Sequence, residues 1–88
     1  MIIRIGKASD NDFVVNDPHV SRYHAKLIRE EGGCWLLEDL GSTNGTFVNG
    51  VKMTNRRMLL DGDIITAGRE KFVFHTMKAE AVSEAEEE

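Results

Sequence analysis

Short runs in which apolar and polar residues alternate dominate the first 77 positions of this 88-residue chain. Successive side chains of a β-strand point to opposite faces, so such a run predicts a strand with one buried face. The runs are IIRI, DFVV, HAKLI, CWLLE, TFVN, DIITA and KFVFH. No long segment before residue 78 repeats apolar residues at helical spacing without an interrupting Gly, Pro or Asn. The pattern therefore predicts an all-β domain.

Turn-forming pairs separate these runs, namely Gly32-Gly33, Asn44-Gly45, Asn49-Gly50 and Asp61-Gly62. These residue types accept the positive φ that tight hairpin turns require. Several short strands at this spacing are typical of a β-sandwich or a β-barrel. We expect its core to contain the large apolar residues of the runs and their borders: Leu27, Trp35, Leu37, Phe47, Leu60, Ile64, Phe72 and Phe74.

The last eleven residues, KAEAVSEAEEE, differ from the rest because they hold one Lys and five Glu. They offer little apolar surface, and glutamates at the C-terminal end of a helix oppose its dipole. We therefore predict one domain over residues 1–77 and an acidic tail, disordered or a frayed helix, over residues 78–88.

Charge and cysteine content narrow the class of protein. The chain has 11 Lys and Arg against 15 Asp and Glu, and removing the tail leaves 10 of each sign. An electroneutral domain argues against nucleic-acid binding through many phosphates. The single cysteine, Cys34, cannot form an internal disulfide, and no apolar run has the length of a signal sequence or a membrane span. We expect a cytoplasmic, reducing environment, no membrane partner, and Cys34 packed as a small apolar side chain in a strand or hairpin.

Catalytic and metal sites find little support in the pattern. The residues that could ligate a metal are too scattered for a compact site: His19, His24, His75 and Cys34. Ser21 and His24 could act as nucleophile and base only if a turn intervenes, because their spacing puts them on opposite faces of a strand. The GSTNGT segment lacks the Gly-Lys-Ser/Thr ending of a nucleotide-binding loop. We predict no metal, no cofactor and no enzymatic activity.

Two polar stretches share one chemical character. DPHVSRYH, residues 17–24, and LGSTNGT, residues 40–46, both place hydroxyls beside loop backbone, and Lys7 follows the first predicted strand. If the fold brings these segments to one end, they form a shallow cup of cations, hydroxyl donors and an amide. Such a cup suits a phosphate on an extended peptide, because charge-assisted hydrogen bonds hold the phosphate and an Asn amide can bind peptide backbone.

The order of these motifs resembles the forkhead-associated (FHA) domain, whose pattern is Gly-Arg, Ser-x-x-His, an Asn-Gly turn and Gly-Asp. The segments that carry the resemblance are IGKASDNDFVVNDPHVSRYHAKL, LEDLGSTNGTFVNG and LLDGDIITAG. They run from about Ile3 to Phe74. The resemblance implies a β-sandwich of two antiparallel sheets that binds phosphothreonine peptides through loops at one end.

The resemblance also implies which residues bind phosphate. Ser21 and Thr43 would donate their hydroxyls to it, and Arg22 lies where family members often add a contact. Lys7 stands where the family has arginine, and it offers a point charge in place of a planar two-pronged donor. Arg22 can compensate, because it supplies a guanidinium from the neighbouring loop.

Four further residues take supporting roles by the same resemblance. Asn44 would hydrogen-bond the peptide main chain, and Gly45 would allow the turn that presents it. His24 would tie the binding loop to the strands, and Gly6 would let the loop of Lys7 turn sharply.

The start of the chain departs from the family, whose members usually carry two further strands before the segment that matches IIRIGK. Without them, the strand from Lys71 to Thr76 becomes a sheet edge with unpaired N–H and C=O groups. We expect a second copy, the tail or a partner to cover this edge.

Two functions follow from these expectations. The first is a module that recognises a protein phosphorylated on threonine by a Ser/Thr kinase. The alternative, supported by Lys7 and the short N-terminus, is a structural or dimerisation module that keeps the FHA shell without reading phosphate.

Overall fold

The computed structural model describes residues 1–76, which form two β-sheets packed face to face. The strands are β1 (Ile2–Gly6), β2 (Phe13–Val14), β3 (Ala25–Arg29), β4 (Trp35–Asp39), β5 (Thr46–Val48), β6 (Val51–Lys52), β7 (Arg56–Leu59), β8 (Ile64–Ala67) and β9 (Glu70–Val73). One sheet has the order β2-β1-β3-β4-β7 and the other β6-β5-β8-β9. Helical structure in this part of the chain is limited to a 3-10 turn at Glu31–Gly33. The prediction of an all-β sandwich is confirmed.

Strand pairing is antiparallel except between β1 and β2, which run parallel for two residue pairs. Residues 7–12 curl back on themselves after β1, with the Asn11 N–H donating to the Ala8 carbonyl over 3.2 Å. The chain then passes β1 again in the same direction. This tight return places Lys7 at the end of the sandwich where the loops meet.

The core lies between the two sheets. Its larger cluster of buried residues comprises Ala25, Leu37, Val48, Met53, Leu59, Ile65 and Phe74, and a smaller one comprises Ile5, Val15, Val20 and Ala67. Leu37 has no exposed surface, so its burial contributes on the order of 2 kcal/mol. Leu27 packs against both clusters and joins them.

The prediction of which residues form the core is confirmed for most of them. Leu37 and Phe74 are buried, whereas Leu60 and Ile64 are 66% and 40% exposed, so those two predictions are wrong. Leu60 lies in the connection after β7, and Ile64 begins β8, whose alternation turns the next residue inward. The prediction that Cys34 packs as a small apolar side chain is also wrong. Cys34 is exposed and lies just before β4, outside the strands.

The turn pairs divide into two kinds. Asn49 and Gly50, with φ of 53° and 84°, close the hairpin between β5 and β6. Asn44-Gly45 and Asp61-Gly62 close no hairpin, since each connects a strand of one sheet to a strand of the other. The Asn44-Gly45 turn therefore belongs to an inter-sheet loop at one end of the sandwich.

Strand β9 lies at the edge of its sheet and pairs only with β8 among the described residues. Beside it a cleft of about 760 Å³ opens between the sheets. Its walls are mostly apolar and include Ile3, Leu27, Trp35, Phe72 and Phe74. The edge predicted near residues 71–76 is therefore present at β9, while the predicted tail lies outside the described residues.

Candidate functional site

Three loops meet at one end of the sandwich. Loop 1 covers residues 7–12 after β1, loop 2 covers residues 15–24 before β3, and loop 3 covers residues 40–45 between β4 and β5. The Lys7 N–H donates to the Ser21 carbonyl over 3.0 Å, and the Ala8 N–H donates to the Arg22 carbonyl over 3.1 Å. These two bonds fix loop 1 against loop 2.

A bond between loops 2 and 3 joins two of the predicted phosphate-binding residues. The Thr43 N–H donates to the Ser21 Oγ over 3.0 Å. Because that oxygen accepts from loop 3, its own proton remains available to donate outward. Ser21 is half-buried and Thr43 is exposed, so both hydroxyls lie at the rim.

His24 is fully buried and bridges the same two loops from below. Its Nδ1 accepts from the Ser21 N–H over 3.0 Å, so the proton resides on Nε2, which donates to the Gly45 carbonyl over 3.0 Å. A turn does bring Ser21 and His24 together, but through the Ser21 backbone. Both ring nitrogens are used in these bonds, so His24 is not placed to act as a base for the Ser21 hydroxyl.

Asn44 is exposed, yet its side chain is held in place. Its Nδ2 donates to the His19 carbonyl of loop 2 over 2.8 Å. Within residues 1–76 its Oδ1 has no hydrogen-bond partner. The side chain therefore presents an oriented acceptor at the rim, which a peptide N–H could reach.

The two cations of the site, Lys7 and Arg22, are both exposed. Neither forms an ion pair with an acidic side chain in the described part of the chain. Among the described residues, two positive charges without an acidic partner therefore lie beside the hydroxyls of Ser21 and Thr43.

The site contains two glycines, Gly6 and Gly45, and each is required for a different physical reason. Gly6 does not adopt positive φ; a Cβ there would overlap the carbonyl oxygen of Arg22, so its role is close approach between loops 1 and 2, whereas we predicted a sharp turn. Gly45 has φ of 89°, and a Cβ on it would lie 2.8 Å from the Lys52 Cε. The positive φ is the reason that loop 3 needs glycine here, since the flexible Lys52 side chain could move aside for a Cβ.

Asp39, at the end of β4, organises loop 3 and was not predicted. Its carboxylate accepts from the Gly41 N–H (3.0 Å), the Ser42 N–H (3.1 Å), the Ser42 Oγ (2.6 Å) and the Thr46 Oγ1 (2.7 Å). Burial acts to raise the pKa of Asp39, but the hydrogen bonds from Ser42, Thr46 and the backbone outweigh it and lower the pKa. The Ser42 Oγ in turn accepts from the Gly45 N–H over 3.1 Å.

Asn11 also supports the site without having been predicted. Its Nδ2 donates to the carbonyls of Ala8 and Arg22, each over 2.8 Å, and so crosslinks loops 1 and 2. The side chain is buried, and its Oδ1 has no hydrogen-bond partner in the described residues. No pattern in a single sequence distinguishes such an asparagine from one in an ordinary turn.

Asp17 joins loop 2 to the hairpin of β8 and β9. It accepts from the His19 N–H over 2.8 Å and from the Arg69 N–H over 3.0 Å, and these two backbone bonds lower the pKa of Asp17. The side chain is only 4% exposed. The Asp-Pro dipeptide was a signal for this turn, since Asp commonly bonds the backbone two residues on.

Across residues 1–76, no cluster of three His, Cys, Asp or Glu side chains is placed to hold a metal ion. The same residues contain no helix with the length and apolarity that a membrane crossing requires.

Comparison with known proteins identifies the class to which this fold and site belong. The family model described as FHA domain matches residues 3–68. The chain belongs to the FHA domain family.

Individual relatives agree with this assignment. The ABC transporter ATP-binding/permease protein Rv1747 of Mycobacterium tuberculosis is 44% identical over 72 residues, which make up 82% of this chain and 8% of the relative. The structure of Mycobacterium tuberculosis EmbR in complex with a low-affinity phosphopeptide superposes with a TM-score of 0.81 at 35% identity, over 85% of this chain and 20% of that one. The N-terminal FHA domain of Saccharomyces cerevisiae Rad53p, in complex with a phosphothreonine peptide, gives a TM-score of 0.82 at 28% identity, over 90% of this chain and 70% of that one.

The chain spans less than half the length of the first curated relatives it matches, at 8%, 33% and 43% of them. The shared part is the FHA domain, so the likeness concerns this domain and not the other activities of those proteins.

Proposed function

We propose that this domain is a phosphothreonine-dependent interaction module and that loops 1 to 3 bind the phosphopeptide. The observation that carries the proposal is the hydrogen bond from the Thr43 N–H to the Ser21 Oγ. It draws two hydroxyls to one rim, leaves the Ser21 proton available, and sets both beside Lys7 and Arg22. Family membership and the phosphopeptide complexes of two FHA relatives support the same function.

The phosphate supplies the switch in this proposal. It carries about two negative charges at neutral pH, and hydrogen bonds to an ionised group are roughly twice as strong as neutral ones. Ser21, Thr43 and the two cations, Lys7 and Arg22, bind the phosphate. An unphosphorylated threonine offers none of these charge-assisted bonds, so the same peptide binds weakly before the kinase acts.

The remaining site residues position the ligand contacts. Asn44 binds the peptide main chain with its oriented amide, and Gly45 gives the turn that presents it. His24 holds loops 2 and 3 together through the Ser21 N–H and the Gly45 carbonyl. Gly6 lets loop 1 lie close enough to loop 2 for Lys7 to reach the same phosphate.

The partner in this proposal is a protein phosphorylated on threonine by a Ser/Thr kinase, in the reducing cytoplasm. The domain binds and does not catalyse. The engagement of both His24 nitrogens supports this, since it leaves that imidazole unable to act as a base for Ser21.

The test is titration with a phosphothreonine peptide library and its unphosphorylated counterpart. The wild-type chain should bind the phosphorylated library at least about tenfold more tightly, since the lost charge-assisted bonds are worth more than about 1.4 kcal/mol. Ser21→Ala should lose about 10- to 100-fold in affinity for phosphorylated peptides. Thr66→Val, which removes a half-buried hydroxyl of β8 outside loops 1 to 3, is the matched control and should bind as wild type. Equal binding of both libraries by the wild-type chain would overturn the function.

A second function is favoured by one observation, the edge of β9 that has no pairing strand within residues 1–76. The Phe74 N–H and carbonyl point toward the β7–β8 connection, so by alternation Lys71 and Val73 direct their backbone groups to the open side. Two copies paired antiparallel about Phe72 would place Lys71 of each chain opposite Val73 of the other and satisfy all four groups. We propose that the chain dimerises through this edge, whether or not it also binds phosphate.

Sedimentation of the full chain and of Val73→Pro tests the dimer. Proline at this position removes an outward N–H and leaves the β8–β9 ladder intact. A wild-type dimer that becomes a folded monomer in the variant is expected. A wild-type monomer at all concentrations tested, or a variant that remains dimeric, contradicts the proposal.

A further inference from the structure

A polar pocket of about 280 Å³ lies at the opposite edge of the sandwich from β9. It is lined by Lys52, Met53, Thr54, Arg56 and Arg57, and we call it the basic pocket. It lies where β6, the edge of one sheet, is followed by β7, the edge of the other. Two different strands therefore contribute three cationic residues to its lining.

The basic pocket adjoins loop 3 directly. The Lys52 side chain covers Gly45, where a Cβ would come within 2.8 Å of its Cε. The Met53 N–H donates to the Thr46 carbonyl over 2.9 Å, and the Asp39 N–H donates to the Asn55 carbonyl over 3.0 Å. Both ends of loop 3 are thus bonded to the segment that forms the pocket.

The charges of the pocket are only partly compensated. Arg56 approaches Glu38 with 3.7 Å between its Nη2 and the Oε1, and Lys26 shares the same carboxylate at 4.0 Å. Lys52 and Arg57 have no ion pair within the described residues. The pKa of Asp63 is lowered mainly by hydrogen bonds from the Leu60 N–H and the Asn49 side chain, and the nearby Arg57 adds a smaller lowering effect. Like charges that line one pocket repel one another, and an anion bound there would relieve that repulsion.

We propose that the basic pocket is a second anion subsite, which binds an acidic group on the same peptide whose phosphothreonine is held by loops 1 to 3. The acidic group is a carboxylate or a second phosphate, because both match guanidinium geometry. This inference rests on the proposed function and deepens it. It predicts that the preferred partners carry an acidic residue at a fixed number of positions from the phosphothreonine.

The first arm of the test finds that distance. A phosphothreonine peptide with alanine at every flanking position is compared with peptides that carry one glutamate at each position in turn. An extended peptide advances about 3.3 Å per residue, so glutamate should tighten binding at only one or two positions. We expect a three- to tenfold gain there at low salt, decreasing as salt is added. A second series with phosphoserine at those positions separates a phosphate ligand from a carboxylate ligand.

The second arm uses the double variant R56Q/R57Q, with R29Q as a control that removes an exposed cation from the end of β3. R56Q/R57Q should lose the gain from the acidic residue and bind the alanine-flanked phosphopeptide within twofold of wild type. R29Q should keep the gain. Thermal unfolding of each variant confirms that it is folded.

The outcomes separate the two proposals. If the alanine-flanked phosphopeptide binds but no acidic position tightens it, or if the gain survives in R56Q/R57Q, the subsite is disproved and the proposed function stands. If no phosphothreonine peptide binds, the proposed function fails and the subsite fails with it.

Discussion

Replacing Asp39 should disorganise loop 3 and lower the stability of the domain. The carboxylate accepts four hydrogen bonds, two from hydroxyls and two from amides. In Asp39→Ala the Gly41 amide can turn to water because it is exposed, but the Thr46 hydroxyl is only 1% exposed and loses its partner. An orphaned buried hydroxyl costs about 1–3 kcal/mol, and the half-buried Ser42 groups add on the order of 1 kcal/mol.

The expected total for Asp39→Ala is about 2–3 kcal/mol, since bonds that share one carboxylate are not additive. In a domain of this size that lowers the Tm by about 10–20 °C. Asp39→Asn keeps an oxygen for the amides and offers an NH2 group that can donate to the two hydroxyl oxygens. Each hydroxyl therefore keeps one hydrogen bond, although charge assistance is lost and the two hydroxyl protons lose their acceptor. That variant should lose about 1 kcal/mol.

Acid should erase the difference between the wild type and Asp39→Asn. Folding lowers the pKa of Asp39 below its ordinary value of 3.8. The stabilisation that the ionised Asp39 gives the folded state is therefore fully present when the pH is well above 3.8. It is lost as pH falls from 3.8 toward the lower pKa of the folded state. The gap in Tm between the two proteins should therefore be constant near neutral pH and shrink below about pH 4.

Calorimetry from pH 7 down to pH 3 measures both effects, with Glu70→Gln as the control. The Glu70 side chain is exposed and forms no hydrogen bond or ion pair within residues 1–76. The free energy of unfolding of Glu70→Gln should lie within about 0.5 kcal/mol of the wild-type value. If Asp39→Ala is as stable as Glu70→Gln, or if its loss does not exceed that of Asp39→Asn, the reasoning about the buried Thr46 hydroxyl is refuted.

Three other changes have defined outcomes. Gly6→Ala should cost about 1–3 kcal/mol by chemical denaturation, since its Cβ meets the Arg22 carbonyl, and an unchanged midpoint would contradict that. Lys7→Arg should tighten phosphothreonine peptides several-fold in calorimetric titration, because a guanidinium can bind phosphate through two bonds, whereas Lys7→Gln should weaken them. Deleting residues 78–88, which carry five Glu and one Lys, should raise peptide affinity at low salt but not at high salt, if the tail competes for Lys7 and Arg22. No gain at low salt would exclude that competition.

The sequence was most informative where strands are buried on one face. Strands such as β3 and β4, in the middle of their sheet, follow apolar alternation because one side faces the core. The pattern misses β6 and β7, at sheet edges, where Val51, Lys52 and residues 56–58 are exposed and polarity no longer alternates. Pairing to a neighbouring strand, and not burial, makes these segments strands, and pairing leaves no mark in a single sequence.

The site divides in a similar way. Residues that would touch the ligand, such as Ser21 and Asn44, belong to recognisable motifs and were proposed from them. Residues that hold the loops, such as Asp39 and Asn11, were missed because their bonds join segments that are distant in the chain or look like ordinary turn chemistry. Even for His24, the motif gave the position but not the partners, which are one amide and one carbonyl from two loops.

The bridge that His24 forms between loops 2 and 3 has a kinetic consequence. With its ring, Asp39 and Asn11 already bonded to these loops, the contact groups occupy fixed positions before any peptide arrives. Binding to such a rigid surface loses little chain entropy and requires no closure step. Encounter should then be limited by diffusion and steered by the two rim cations, Lys7 and Arg22, while the lifetime of each complex distinguishes one peptide from another. Related peptides would therefore differ in how slowly they leave this domain and hardly at all in how fast they arrive.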